Sequence, residues 1–150
     1  MPVPISTRSG ARHAAILGLG VYRPHRLVTN EEISGPIDSS DEWIRSRSGI
    51  STRRFAGPDE SVISMSVAAG RQALEHSGIP VTSVGCVVLA TSTYLSQTPA
   101  AAPQIACQLG ATAPAAFDIS AGCAGFCHAL GLAADMVRGG SAEYVLVIGA

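Results

Sequence analysis

The sequence predicts an α/β fold: a mostly parallel sheet with helices on both faces. Three observations carry that expectation. Near-continuous apolar runs rich in Val and Ile recur along the chain, as in strands buried on both sides. Helical periodicity fills the intervals between them, and strands alternating with helices pack as a covered parallel sheet. The longer helical intervals close on breakers, Gly78 with Pro80 and Gly139 with Gly140.

Taken in order, residues 1–12 read as a loose leader and 13–150 as one folded unit. The opening stretch MPVPISTRSGARHAAILGLGVYRP has an apolar run that stops at Gly18 and is soon followed by Arg23 and Pro24. It resembles neither a signal peptide nor a spanning helix, which points to a cytoplasmic protein with no membrane attachment. The first strand is expected over 14–19 (AAILGL), the second over 84–91 (VGCVVLAT), the third over 115–120 (AAFDIS) and the fourth over 144–149 (YVLVIG). Helices are expected shortly after Ser39, over 61–77, over 100–109 and over 123–138. The last strand ends the chain without an outer neighbour, so the 150 residues read as the first half of a longer fold.

Composition narrows the partners. With 47% hydrophobic and 14% charged residues the chain can bury a sizeable core and is not disordered. A formal charge of −1 gives no basic footprint for nucleic acid and no polybasic anchor. Cys86, Cys107, Cys123 and Cys127 fall in segments that read as buried, which argues against a disulfide framework. Cys123 and Cys127 share a helical face, but no second His or Cys pair completes a metal set, so no metal is expected.

Three motifs invite chemistry. Gly18-Leu19-Gly20 suggests a dinucleotide turn, but Arg23 stands where a third small residue is needed and Pro24 follows, so that reading fails. In 38-DSSDEWIRSRSGI-50, Ser39 and Glu42 form a capping box that opens a short helix closed by Gly49. Trp43 and Arg47 then stand one turn apart, an indole beside a guanidinium. Such a pair can hold an aromatic base and answer a phosphate, or it can be plain cation–π packing at a core edge. In 117-FDISAGCAGFCHALG-131, Cys123 stands where a strand hands over to a helix. Unpaired N–H groups and the macrodipole there favour a thiolate, and Gly122 and Gly125 allow a tight turn and close approach by substrate. His128 lies about 140° around the helix from Cys123 and is poorly placed as its general base.

Together, DSSDEWIRSRSGI, TSTYLSQTPAAAPQ and FDISAGCAGF resemble β-ketoacyl-acyl carrier protein synthase III, its actinobacterial members in particular. The motifs occur in the family's order across nearly the whole chain. The resemblance implies a thiolase-like fold, layered α-β-α-β-α, of which this chain is the N-terminal half. It implies that Cys123 accepts an acyl group from acyl-coenzyme A, a substrate rather than a cofactor, and that no separate cofactor is needed. Trp43 and Arg47 match the pair that sandwiches the adenine of coenzyme A, and Ser39 a polar position nearby. Thr98 stands where many short-chain members carry Phe at the end of the acyl pocket, across a dimer interface, so starters larger than acetyl are expected. Malonyl-acyl carrier protein is the implied second substrate and a homodimer the implied assembly. The His and Asn that assist decarboxylation match nothing here and are expected beyond residue 150.

Other functions keep parts of this pattern. A starter-unit priming ketosynthase of a polyketide pathway, or an acyltransferase to oxygen or nitrogen, would keep Cys123, Trp43 and Arg47. A cysteine hydrolase would want a G-x-C-x-G frame, but position 121 is Ala. A non-catalytic acyl-coenzyme A binding module is a third reading, expected if the chain truly ends at Ala150.

Overall fold

A computed structural model of the protein describes residues 9–150. In chain order the elements are β1 (Arg26–Thr29), α1 (Asn30–Ser34), α2 (Asp41–Ser48), β2 (Thr52–Phe55), α3 (Val62–Ser77), β3 (Val84–Ala90), α4 (Ala101–Leu109), β4 (Ala115–Ile119), α5 (Gly125–Arg138) and β5 (Tyr144–Gly149). They fall into two compact units: Val62–Ala150 with the N-terminal segment up to Tyr22, and Arg23–Ser61. The expected leader falls mainly on residues 1–8, which lie outside the described residues.

The larger unit is a three-stranded parallel sheet in the order β4-β3-β5. β3 is central, and Cys86, Val87, Val88 and Leu89 are completely buried. Successive side chains of a strand point to opposite faces, and β3 obeys that rule in its packing. Val87 and Leu89 join Val67 of α3, Ile105 of α4 and Leu146 and Ile148 of β5 in one core. Cys86, Val88 and Ala90 join Ala129 of α5 and Ala142 in the other. Helices α3 and α4 therefore cover one face and α5 the other. Alanines dominate both helix contributions, Ala101, Ala102, Ala106 and Ala129, and small side chains let helix backbones lie close to the sheet. Burial raises the Cys86 thiol above its ordinary pKa, so it stays protonated and behaves as a small hydrophobe.

The strand expected over 14–19 is not one. That segment enters no ladder, and Ile16, Leu17 and Leu19 are 68%, 54% and 68% exposed. Its polar backbone is answered by α3 instead. The Val21 N–H donates to Gln72 Oε1 at 2.6 Å, and His76 Nδ1 lies 2.6 Å from the Leu19 carbonyl. Apolar residues alone cannot make a strand when no neighbouring strand lies alongside to satisfy the N–H and C=O groups. The pair Gly18 and Gly20 serves close approach: a Cβ on Gly20 would fall 2.0 Å from the Ala69 carbonyl oxygen, and one on Gly18 2.3 Å from that of Ala73. Gly20→Ala is expected to lower stability by about 1–3 kcal/mol, the usual range for overpacking, read as an earlier urea midpoint. An unchanged midpoint would contradict the tight seating.

In the smaller unit β1 pairs antiparallel with β2, Leu27 opposite Arg54 and Val28 opposite Arg53. Thr29 and Glu32 form a reciprocal capping box at the start of α1, with the Glu32 N–H donating to Thr29 Oγ1 and the Thr29 N–H to Glu32 Oε1. That backbone N–H, with Arg26 beside it, holds the Glu32 carboxyl below its ordinary pKa. The expected capping box on α2 is absent. Its cap is Ser40, not Ser39: Ser40 Oγ accepts the Trp43 N–H at 3.1 Å, while Gly49 ends the helix left-handed, as expected. With Ser40 as cap the third helical residue is Trp43, so Glu42 is one position short of reaching back.

Candidate functional site

Cys123 lies in a single 3₁₀ turn, Gly122–Ala124, between β4 and α5. Gly122 adopts φ +52, a conformation that suits glycine, and the Ala124 N–H donates to the Ala121 carbonyl at 3.2 Å, closing the turn around Cys123. The start of α5 is seated on the C-terminal ends of the neighbouring strands. A Cβ on Gly125 would lie 3.3 Å from the Ala90 side chain, and one on Gly149 3.1 Å from the Phe126 ring. Parallel α/β sheets present ligand sites at that edge, because the strands end and the helix N-termini begin there. No side chain caps α5; its first N–H, that of Gly125, donates to the Gly122 carbonyl, and the positive end of the helix dipole falls at the turn that holds Cys123. Cys123 itself is exposed. Cys107 and Cys127 are exposed too, so of the four cysteines expected to be buried only Cys86 is. The reason is amphipathicity: Cys107 and Cys127 sit on helix faces turned from the sheet. His128 is likewise exposed.

Thr98 is exposed in the segment joining β3 to α4, immediately before Pro99 across a cis peptide bond. That segment ends on a specific anchor. Asp118 of β4 accepts the N–H of Ala101 at 2.9 Å through Oδ2 and that of Ala102 at 2.8 Å through Oδ1. A carboxylate from a neighbouring strand thus caps α4, whose own N-cap residue, Ala100, offers no side-chain acceptor. Asp118 went unnoticed in the sequence, yet an acid within an otherwise apolar strand is a signal that some donor waits for it.

Trp43 and Arg47 do meet on α2: the Arg47 guanidinium lies 5.0 Å from the Trp43 ring centre, and both side chains are exposed. A base held between two flat groups needs about 7 Å, twice the contact distance of ~3.5 Å. The guanidinium therefore covers the indole face without a ligand and must swing out to admit one. Its charge, in the last turn of α2, is favourable there for the helix dipole. Ser39 precedes the cap, and its Oγ is shielded from solvent with no hydrogen-bond partner. Among the described residues no group of three or more His, Cys, Asp or Glu could hold a metal, and no helix is long and apolar enough to cross a membrane.

Beneath α2 sits Asn30, which the sequence reading passed over. It is 1% exposed, and its Nδ2 donates to Asp41 Oδ1 at 2.7 Å and to the Ile50 carbonyl at 2.8 Å. Arg53 donates to its Oδ1 and to the Val28 carbonyl. The Thr-x-x-Glu pattern at 29–32 could have flagged this helix start; nothing local could have named the distant partners.

Comparison with known proteins bears on the family and the fold. The family model for 3-oxoacyl-[acyl-carrier-protein (ACP)] synthase III matches residues 117–150, from β4 through the Cys123 turn to β5. A mycobacterial β-ketoacyl-[acyl-carrier-protein] synthase III of Mycobacterium avium (strain 104) is 59% identical over 97% of this chain and 43% of its own length. Among solved structures, the priming β-ketosynthase of the R1128 polyketide biosynthetic pathway superposes with a TM-score of 0.87 at 46% identity, over 99% of this chain and 43% of that one. The 3-oxoacyl-[acyl-carrier-protein] synthase III of Aquifex aeolicus VF5 gives 0.85 at 40% identity, over 90% and 44%. The chain thus spans less than half the length of these relatives. Its sheet and covering helices are an α-β-α part of a thiolase-like fold. With 59% identity along almost its entire length and the family model matched over residues 117–150, the chain belongs to the β-ketoacyl-acyl carrier protein synthase III family.

Proposed function

We propose that the protein is an acyltransferase that begins type II fatty acid synthesis in the cytoplasm, as a homodimer. The observation that carries this reading is the Cys123 turn: an exposed thiol at the C-terminal edge of a parallel sheet, ahead of an uncapped helix. The Cys123 thiolate attacks the carbonyl carbon of acyl-coenzyme A, and backbone N–H groups at the turn hold the tetrahedral oxyanion. The carbon–sulfur bond of the substrate breaks, coenzyme A leaves as its thiol after taking up a proton, and an acyl-cysteine remains. Malonyl-acyl carrier protein then loses carbon dioxide, and its carbanion attacks the acyl-cysteine to give 3-oxoacyl-acyl carrier protein and free Cys123. The His and Asn of that second half-reaction have no matching motif in these 150 residues. Trp43 and Arg47 hold the adenine of coenzyme A, Ser39 lies beside it, and no further cofactor takes part.

Incubation with an acyl-coenzyme A followed by mass spectrometry is the test. One acyl adduct, mapped to the peptide containing Cys123, supports the enzyme. Retained coenzyme A binding with no adduct would instead describe a binding module. A second reading, a starter-unit priming synthase of a polyketide pathway, is favoured by the likeness to the R1128 enzyme. Condensation assays offering carrier proteins of both pathways separate the two.

Thr98 bears on the starter. Where a ring would close the acyl pocket, a small hydroxyl-bearing side chain leaves room, so acylation by isobutyryl- and decanoyl-coenzyme A is expected to match or exceed that by acetyl-coenzyme A. A strict acetyl preference would defeat the assignment of Thr98 to the pocket.

A further inference from the structure

The helix that carries Trp43 and Arg47 is only eight residues long, buries none of them and has a polar, charged surface. Neither intrinsic propensity nor a packed apolar stripe can hold so short a helix in one place, since helices of this length are marginal without tertiary support. The support comes from a single buried carboxamide. Asn30 Nδ2 uses one hydrogen on Asp41, the first residue of α2, and the other on the carbonyl of Ile50, the residue after the Gly49 cap. Both ends of α2 are therefore gripped by one nitrogen. The other end of the amide is fixed as well: Arg53 of β2 donates to Oδ1 and reaches the Val28 carbonyl of β1. The Asn30 N–H donates to the Ser51 carbonyl at 3.3 Å. The amide spends both donors and accepts an ionic hydrogen bond, and at 1% exposure none of these bonds has water to compete with it.

Serving all three partners takes two donors and one acceptor on one group, which a carboxamide supplies. Aspartate has no hydrogens for Asp41 and Ile50 and would face the Asp41 carboxylate; leucine matches the shape and satisfies nothing. The arrangement ties α2, with its exposed indole and guanidinium, to the β1–β2 pair through Arg53 and the Val28 carbonyl. We propose that Asn30 is a positioning residue for the Trp43–Arg47 pair: by clamping both ends of α2 it sets where the two flat groups stand when they receive the nucleotide. This rests on the reading that the pair binds coenzyme A. Asn30 touches no substrate and acts through α2.

The test compares two thioesters of one acyl group in the full-length protein: isobutyryl-coenzyme A and isobutyryl-N-acetylcysteamine, which lacks the nucleotide. For each variant the readout is the ratio of the two kcat/KM values, a quantity that a general loss of folded protein does not move. Arg47→Ala, Asn30→Ala and Asp41→Ala are compared with the parent. Asn30→Ala is expected to lower the ratio about tenfold, mostly through KM for the coenzyme A ester, since small displacements of a binding group carry losses of that order or more. Asp41→Ala frees only one end of α2 at a partly exposed position; it is expected to lower the ratio by a smaller factor, and it carries the test if Asn30→Ala does not fold. A lowered ratio in Arg47→Ala with the parent ratio kept in Asp41→Ala and any folded Asn30 variant overturns the positioning role alone. A parent ratio in Arg47→Ala overturns the nucleotide site, and the positioning role with it.

Discussion

Cys123→Ala is expected to give no acyl adduct after incubation with any acyl-coenzyme A, while unfolding within about 0.5 kcal/mol of the parent, as exposed substitutions usually do. The expectation follows from what the thiol does and does not touch. It is exposed and belongs to neither buried core, so its removal opens no cavity. The turn around it is held by backbone, through the Ala124 N–H and the glycine geometry of Gly122. Gly125 against Ala90 and Phe126 against Gly149 fix the start of α5 independently of the sulfur. Chemistry and stability therefore separate at this position. Adduct mass on the intact protein and urea unfolding check the two halves. An acyl group that still attaches elsewhere in Cys123→Ala would dismiss this thiol as the acceptor, and a collapse in stability would make it a structural residue.

Asp118→Ala is expected to destabilise the larger unit by about 3 kcal/mol, since hydrogen bonds to a charged group contribute ~1.5–3 kcal/mol each and two are lost together. The Ala101 and Ala102 N–H groups would remain at a helix start where both alanines are completely buried, with no water to replace the carboxylate. Asp118→Asn is expected to lie between the two, because an amide retains one acceptor oxygen and turns a donor toward the second N–H. Thermal or urea unfolding of the three proteins checks the order Asp, Asn, Ala. Equal stability of Asp118→Ala and the parent would show that α4 needs no cap from β4.

The buried strands and the long helices were legible because their signals are local. VGCVVLA and YVLVIG are near-continuous apolar runs and AAFDI is apolar but for Asp118, as in strands of a covered parallel sheet, and α3, α4 and α5 end at their expected last residues, 77, 109 and 138. The β1–β2 pair was not legible: RLVT and TRRF are four residues each, carry three arginines between them and have no periodicity to read. The segment 14–19 misled for the opposite reason, since its apolar run has the composition of a strand and no strand partner among the described residues. The cap of α2 was misplaced by one residue because Ser39 and Ser40 are chemically equivalent in the sequence, and only backbone geometry chooses between them.

By itself, the sequence determined the α/β class, the order of the large elements, the family and the position of Cys123 between a strand and a helix. Each depends on residues adjacent along the chain or on a motif read as a unit. Tertiary structure decided that Asp118 caps a helix beginning at residue 101, that Asn30 grips both ends of α2, and that Gly18 and Gly20 serve contact with α3 rather than a ligand. The physical reason is common to all three. A hydrogen bond or a close backbone approach is satisfied by any donor or carbonyl of the right geometry, so its partner leaves no mark on the sequence until the chain has folded and brought the two together.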